Sequence, residues 1–381
     1  MHRYRLLPLV LALAAPLAQA YDANDWPTHF TTDSGYEFGV KGTYQADTNR
    51  FSDDTLPNGR DDFTDLTTWR RKEFYLYSRK KGVYELYAGY DFQAHLWVDN
   101  YLKLFAGKYG DFRIGHFKTP VGFEDGAIGS GATTFLERGL PEAAIYEGRR
   151  IGADWTYAPN KAWLLNLAYF DGGDLNGDND GHTFAARAVL NPWANETQVL
   201  HLGASASREE RDDEAARVRA KPEASLTAIR LIDTGNLTHT KELDRWGLEG
   251  AWRNGPFLAQ AEYLGINASR EAGLRDFSGE GWYASGSWLL TGESKPYKAG
   301  AFSNPAPKRD WGAVELAVRY STFDLNDGPI HGGREHDWTL GANWYLTTHF
   351  KFQANYIRAT SDRGNLSLDP KIVEVRAQLS F

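Results

Sequence analysis

Fixed positive charge recurs at short intervals in the first half of the chain. Arg70, Arg71 and Lys72 are consecutive, Arg149 and Arg150 are adjacent, and Arg113, Lys118 and Arg138 stand between them. Such groups coordinate small oxyanions: the planar guanidinium fork donates two parallel bonds while its charge stays permanent. Arg217, Arg219 and Lys221, at spacing two, project to one side of an extended segment. Glu209, Glu210, Asp212, Asp213 and Glu214 precede that run, which favours a solvated loop over a binding surface. Every one of these cations also has a structural role open to it. Arg138 could pair with its neighbour Glu137, and Arg149 or Arg150 with Glu124 or Glu142.

Other chemistries find little support. Asn176 to Gly181 matches a calcium-binding loop at the first, third, fifth and sixth positions, but the twelfth residue is Arg187 where a bidentate glutamate is needed. A polar hairpin loop is the better reading. Gly129-Ser130-Gly131 lacks the spacing of a nucleophile elbow, and the ten histidines form no H-E-x-x-H pair. The sequence therefore calls for no catalytic residue, metal or cofactor. Acidic residues outnumber basic ones, 50 to 42, which argues against a nucleic-acid partner. Any anion binding must come from local charge.

The elements that carry these residues are strands. Apolar and polar residues alternate with period two in segment after segment. Tyr84, Leu86, Ala88 and Tyr90 alternate with Glu85, Tyr87, Gly89 and Asp91. Val373, Val375, Ala377, Leu379 and Phe381 alternate with Glu374, Arg376, Gln378 and Ser380. Turn signals such as Asn58-Gly59, Asp327-Gly328 and Arg363-Gly364 separate the runs. About sixteen such strands are predicted, each near the ~10 residues a tilted membrane strand requires.

A soluble sandwich and a membrane barrel both use many antiparallel strands. The apolar faces here end repeatedly in Tyr, Trp or Phe, as membrane-water boundaries favour. The opposite faces carry both signs of charge, with Arg113, Arg187, Arg245, Arg319 and Arg376 beside Glu85, Glu249, Glu262 and Glu315. In lipid no edge amide can stay unpaired, so the sheet must close. The expected fold is all-β: a closed antiparallel transmembrane β-barrel of about sixteen strands. The last strand should seal against the first, around Tyr36 to Tyr44. The chain contains no cysteine, so no disulfide staples this fold. Residues 1–20 read as a cleaved signal peptide, with Arg3 and Arg5, a short apolar run and Ala18-Gln19-Ala20 before the cut. Residues 21–381 then form a single barrel domain. A lectin-like sandwich and an outer-membrane lipase or protease are the rival classes.

Specific stretches resemble the phosphate-selective porin O and P family. They include Arg113-Ile-Gly-His-Phe-Lys-Thr-Pro120, Thr134-Phe-Leu-Glu-Arg-Gly-Leu-Pro141, Gly148-Arg-Arg-Ile-Gly152, Leu290-Thr-Gly-Glu-Ser-Lys-Pro-Tyr297 and Gly312-Ala-Val-Glu-Leu-Ala-Val-Arg-Tyr-Ser321. The resemblance implies a homotrimer of sixteen-stranded barrels in a Gram-negative outer membrane, among lipid and lipopolysaccharide. It implies passive diffusion of small hydrophilic solutes, anions such as phosphate above all. It also implies a loop from Pro120 to about Arg149 that narrows the lumen, which brings Lys118, Arg138, Arg149 and Arg150 to the constriction. The terminal Phe381 is similar to the sorting signal read by the barrel assembly machinery. The family's longer run of alternating arginines is reduced here to Arg217, Arg219 and Lys221. A weakly selective general porin therefore stands as the alternative.

Overall fold

A computed structural model describes residues 26–52, 63–177, 181–211, 215–364 and 366–381. The expected signal peptide, the Asn58-Gly59 turn and the centre of the calcium-like loop lie outside the described residues. Sixteen long strands alternate in direction: β1 Tyr36–Ser52, β2 Leu66–Lys80, β3 Tyr84–Asp91, β4 Leu96–Phe105, β5 Asp111–Lys118, β6 Arg149–Tyr157, β7 Trp163–Asp171 and β8 His182–Ala194. Then come β9 Gln198–Glu210, β10 Thr240–Asn254, β11 Phe257–Arg270, β12 Phe277–Leu289, β13 Ala313–Asp327, β14 Ile330–Tyr345, β15 Phe350–Arg363 and β16 Lys371–Ser380. Each pairs antiparallel with its neighbours, and β16 pairs with β1 to close the cylinder.

The period-two pattern sorts side chains as lipid outside and polar groups inside demand. On β10, Leu248 is 57% and Trp252 45% exposed on the outer face, while the inward Arg245 and Glu249 are each 6% exposed. On β16 the outward Val373 and Val375 alternate with buried Glu374, Arg376 and Gln378.

Closure differs from the expected position. β16 pairs with Thr43–Ser52, the second half of β1. The first half is occupied by a short N-terminal strand, His29–Thr31, whose register runs from His29 opposite Gly39 to Thr31 opposite Glu37. Barrel strands are staggered by the tilt that closure imposes, so the first and last strands overlap only partly. Phe381 exchanges backbone hydrogen bonds with Gly42 at 2.9 and 3.1 Å and stacks on Trp26 and Tyr44. A Cβ on residue 42 would come within 2.6 Å of the Phe381 ring, so any larger residue there would push the ring aside.

The lumen is not uniformly wet. Residues 119–148, with the short helix α1 Leu140–Ala144, and residues 215–239 enter from one end. Residues 290–312 enter from the other, where Phe381 lies. Phe117, Leu140, Ile145, Val218, Ile232 and Leu264 pack into a hydrophobic cluster inside the barrel. These loops fill the half bounded by β9–β16. The open half runs beside β1–β8.

Candidate functional site

The polar interior of β10–β16 holds the loops in place. Arg376 forms two 2.7 Å contacts with Asp47, donates to the Leu136 carbonyl at 2.7 Å and meets Glu137 at 3.1 Å. Arg319 grips Glu223 at 2.6 Å and the Glu137 carbonyl at 3.0 Å, and Arg245 grips Glu209 at 2.7 Å and the Ile145 carbonyl at 3.0 Å. Lys351, Asn343 and Gln378 donate to the carbonyls of Thr133, Thr134 and Gly131, each at 2.8 Å. These side chains satisfy the backbone of a buried loop, which carries no ladder of its own.

A continuous cavity of about 990 Å³ remains on the other side. It extends from Arg219, Lys221 and Arg230 of the 215–239 loop, past Arg70, Arg71, Lys118, Arg138 and Arg149, to Lys41 and Phe381 near the opposite end. Twelve basic and nine acidic side chains line it. The lining is thus positive in a chain whose formal charge is −8.

Arg70 and Arg71 enter together because of a β-bulge. Gln45 pairs with Arg71 and Ala46 with Trp69, so Arg70 is the extra residue and two consecutive side chains face inward. Arg70 holds Glu137 of the long loop at 2.9 and 3.2 Å. Arg71 meets Glu73 at 3.2 Å. Lys118 and Arg138 share Asp125 at 2.8 and 3.1 Å. Burial works against the Asp125 carboxylate, but Arg138 and Lys118 overcome it and hold the group down at about 2. Arg149 binds Asp99 at 2.8 Å, and Arg113 pairs with Asp154 beneath the Tyr101 ring.

Two expected cations do not reach the passage. Lys72 follows the bulge onto the outer face, its Nζ 5.3 Å from the Trp69 ring centroid. Arg150 points inward but is sealed against Glu209 at 2.7 Å. Glu137 pairs with Arg70 and Arg376, Arg149 with Asp99, and Arg150 with Glu209. The expected partnerships of Glu137 with Arg138, and of Arg149 or Arg150 with Glu124 or Glu142, do not form.

The 217–221 run departs from a solvated loop. Val218 and Ala220 are buried in the interior cluster, and Ala220 pairs with Ile232 while Arg219 pairs with Asp233 in a small hairpin. Arg217 stays outside on Asp233 at 2.8 Å. Arg219 and Lys221 face the cavity, and among the described residues neither has a carboxylate within ion-pair distance. Burial disfavours the Lys221 ammonium, and Arg230 and Arg70 disfavour it further, so its value falls to about 8. Lys41, on the polar side of β1, donates to the Tyr87 hydroxyl at 2.6 Å and sits above the Tyr77 and Tyr87 rings. Its place in the alternation was the one signal of its role.

The sequence matches the phosphate-selective porin O and P family over residues 38–381. The chain belongs to that family. Porin O of Pseudomonas aeruginosa is 29% identical over 387 residues, covering 87% of this chain and 85% of that protein. An uncharacterized protein of Caulobacter vibrioides is 31% identical over 293 residues, covering 70% of this chain and 58% of its own length. Among solved structures, OmpT of Vibrio cholerae superposes with a TM-score of 0.60 at 11% identity, covering 93% of this chain and 99% of that one. An anion-selective porin from Comamonas acidovorans gives 0.57 at 12% identity, covering 91% of this chain and all of that one. These likenesses carry the fold. The porin is an outer-membrane channel and not an enzyme.

Proposed function

We propose that this porin conducts small anions, phosphate among them, by passive diffusion through an electrostatic filter. The carrying observation is the inversion of charge: a passage with more basic than acidic side chains inside an acidic chain. Fixed charge acts most strongly where little water is left to screen it. Arg219, Lys221 and Arg230 collect anions at one mouth, and Lys41 receives them at the other. Between them Arg71, Lys118, Arg138, Arg149 and Arg113 keep the potential positive, although their carboxylate partners temper it. Lys72 and Arg150, set away from the cavity, contribute little.

The nine lining carboxylates favour the second reading, a general porin in which opposed charges set only a transverse field. Proteoliposomes loaded with phosphate or with choline separate the two. Faster release of phosphate supports the filter, with a loss of that advantage in Lys118→Glu and Arg138→Glu. Equal release of both solutes supports the general porin.

The porin further assembles as a trimer, the form named for one solved structure of OmpT. β3 and β5 have only 8 residues each. Tilted, such a strand spans roughly 19 Å of the membrane normal, short of the ~25 Å apolar band of a lipid-facing wall. Packing against neighbouring subunits removes that mismatch. The long loops then face lipopolysaccharide, and Phe381 serves as the recognition end for the barrel assembly machinery before the barrel closes.

A further inference from the structure

One carboxylate at the cationic cluster has no evident reason to be there. Its acidic neighbours are held by cations at short range: Glu137 by Arg70 at 2.9 Å, Asp125 by Lys118 at 2.8 Å, Asp99 by Arg149 at 2.8 Å. Glu73 is held weakly. Arg71 Nη1 lies 3.2 Å away, Tyr75 donates its hydroxyl at 3.3 Å, and Ser130 of the long loop donates at 3.2 and 3.4 Å. All of these are at the long end of the hydrogen-bond range. Glu73 nonetheless lines the cavity two residues beyond Arg71 on the same face of β2.

For a permeant that is only a point charge, a carboxylate here is repulsive. It has a use for a permeant that also carries a hydrogen. Both phosphate species present near neutral pH keep at least one P–OH group, whereas sulfate keeps none. An ionised carboxylate is an acceptor only. It accepts from P–OH and meets a bare sulfate oxygen with an uncompensated negative charge. Sites that discriminate in this way combine an attraction for one ligand with a penalty for its analogue.

We infer that Glu73 is a specificity-determining residue that selects hydrogen-bearing oxyanions, phosphate monoanion and dianion or a phosphonate, over sulfate. This rests on the anion reading above. Arg71 and its basic neighbours supply the charge, and Glu73 reads the proton.

The test is block of chloride current in a planar bilayer at pH 7 by inorganic phosphate and by sulfate. In the unmodified porin, phosphate is expected to block at a concentration at least about tenfold lower than sulfate, the scale of one charge-assisted hydrogen bond. In Glu73→Gln the ratio falls towards one, chiefly because sulfate gains. Ser130→Ala, which removes a contact to Glu73 but not its charge, keeps the ratio. Equal block in the unmodified porin, or a Glu73→Gln variant that strengthens both anions by the same factor, overturns the inference. Those results leave anion selectivity standing. A preference for potassium over chloride in the same bilayer would instead remove the anion reading itself.

Discussion

The cations of this barrel divide into those that serve water and those that serve protein. Arg71 and Lys221 present donors to the passage, whereas Arg376 spends its fork on Asp47, Glu137 and a loop carbonyl. Removing one unit charge from a wet passage changes the local potential by roughly 1 kcal/mol at contact range. Arg71→Gln and Lys221→Gln should each lower the chloride-to-potassium permeability ratio about two- to fivefold, read from reversal potentials. The pH dependence follows from Lys221. Burial and its arginine neighbours favour the neutral amine and set its value at about 8. The charge is therefore present at pH 6 and lost as pH rises through 8. Anion preference should fall between pH 7 and 9, and the fall should be smaller in Lys221→Gln. Most of the cations that line the cavity are legible from charge type and strand position alone. A bulge is invisible to an alternation count, so the sequence groups Lys72 with Arg70 and Arg71 while the structure turns it outward. The acidic run before Lys221 suggests a solvated loop and masks the apolar Val218 and Ala220 that fold it inward.

At the scale of elements, strands are the part a sequence states openly, since lipid on one side and polar groups on the other enforce period two. Inward loops are stated only indirectly. Leu264, Ile266 and Phe323 point into the lumen where a water-filled barrel would place polar groups. They mark where the loops pack, and read as such they would have pointed to the interior cluster. The 290–312 segment showed no periodicity, so its entry into the lumen was not foreseen. Its Lys295 bonds both Glu315 at 2.9 Å and Thr134 of the long loop. Two variants probe this scaffolding. Arg376→Ala leaves Asp47 buried without its cation and should cost about 3–5 kcal/mol, seen as a lower urea midpoint for loss of the heat-modifiable form. Deleting Arg70 restores a regular ladder between β1 and β2. It should leave Glu137 to Arg376 alone, loosen the constriction loop and raise single-channel conductance.

The whole molecule is an acidic cylinder with a basic bore set to one side. Outside, the short wall formed by β3 to β7 exposes Leu86, Leu104, Phe112 and Ile114. On the proposed trimer with that wall buried between subunits, Phe112→Arg and Ile114→Arg should yield a detergent-extracted monomer by light scattering. A change confined to membrane insertion, with the trimer intact, would place the interface elsewhere. Inside, the preference for anions over cations follows the sign of the summed field, because the lining cations act together over distances near the screening length. The zero-current potential of the porin in a planar bilayer under a KCl gradient reads that sign directly. A potential displaced towards the chloride equilibrium value is the predicted result. Displacement towards the potassium value would contradict a positive bore.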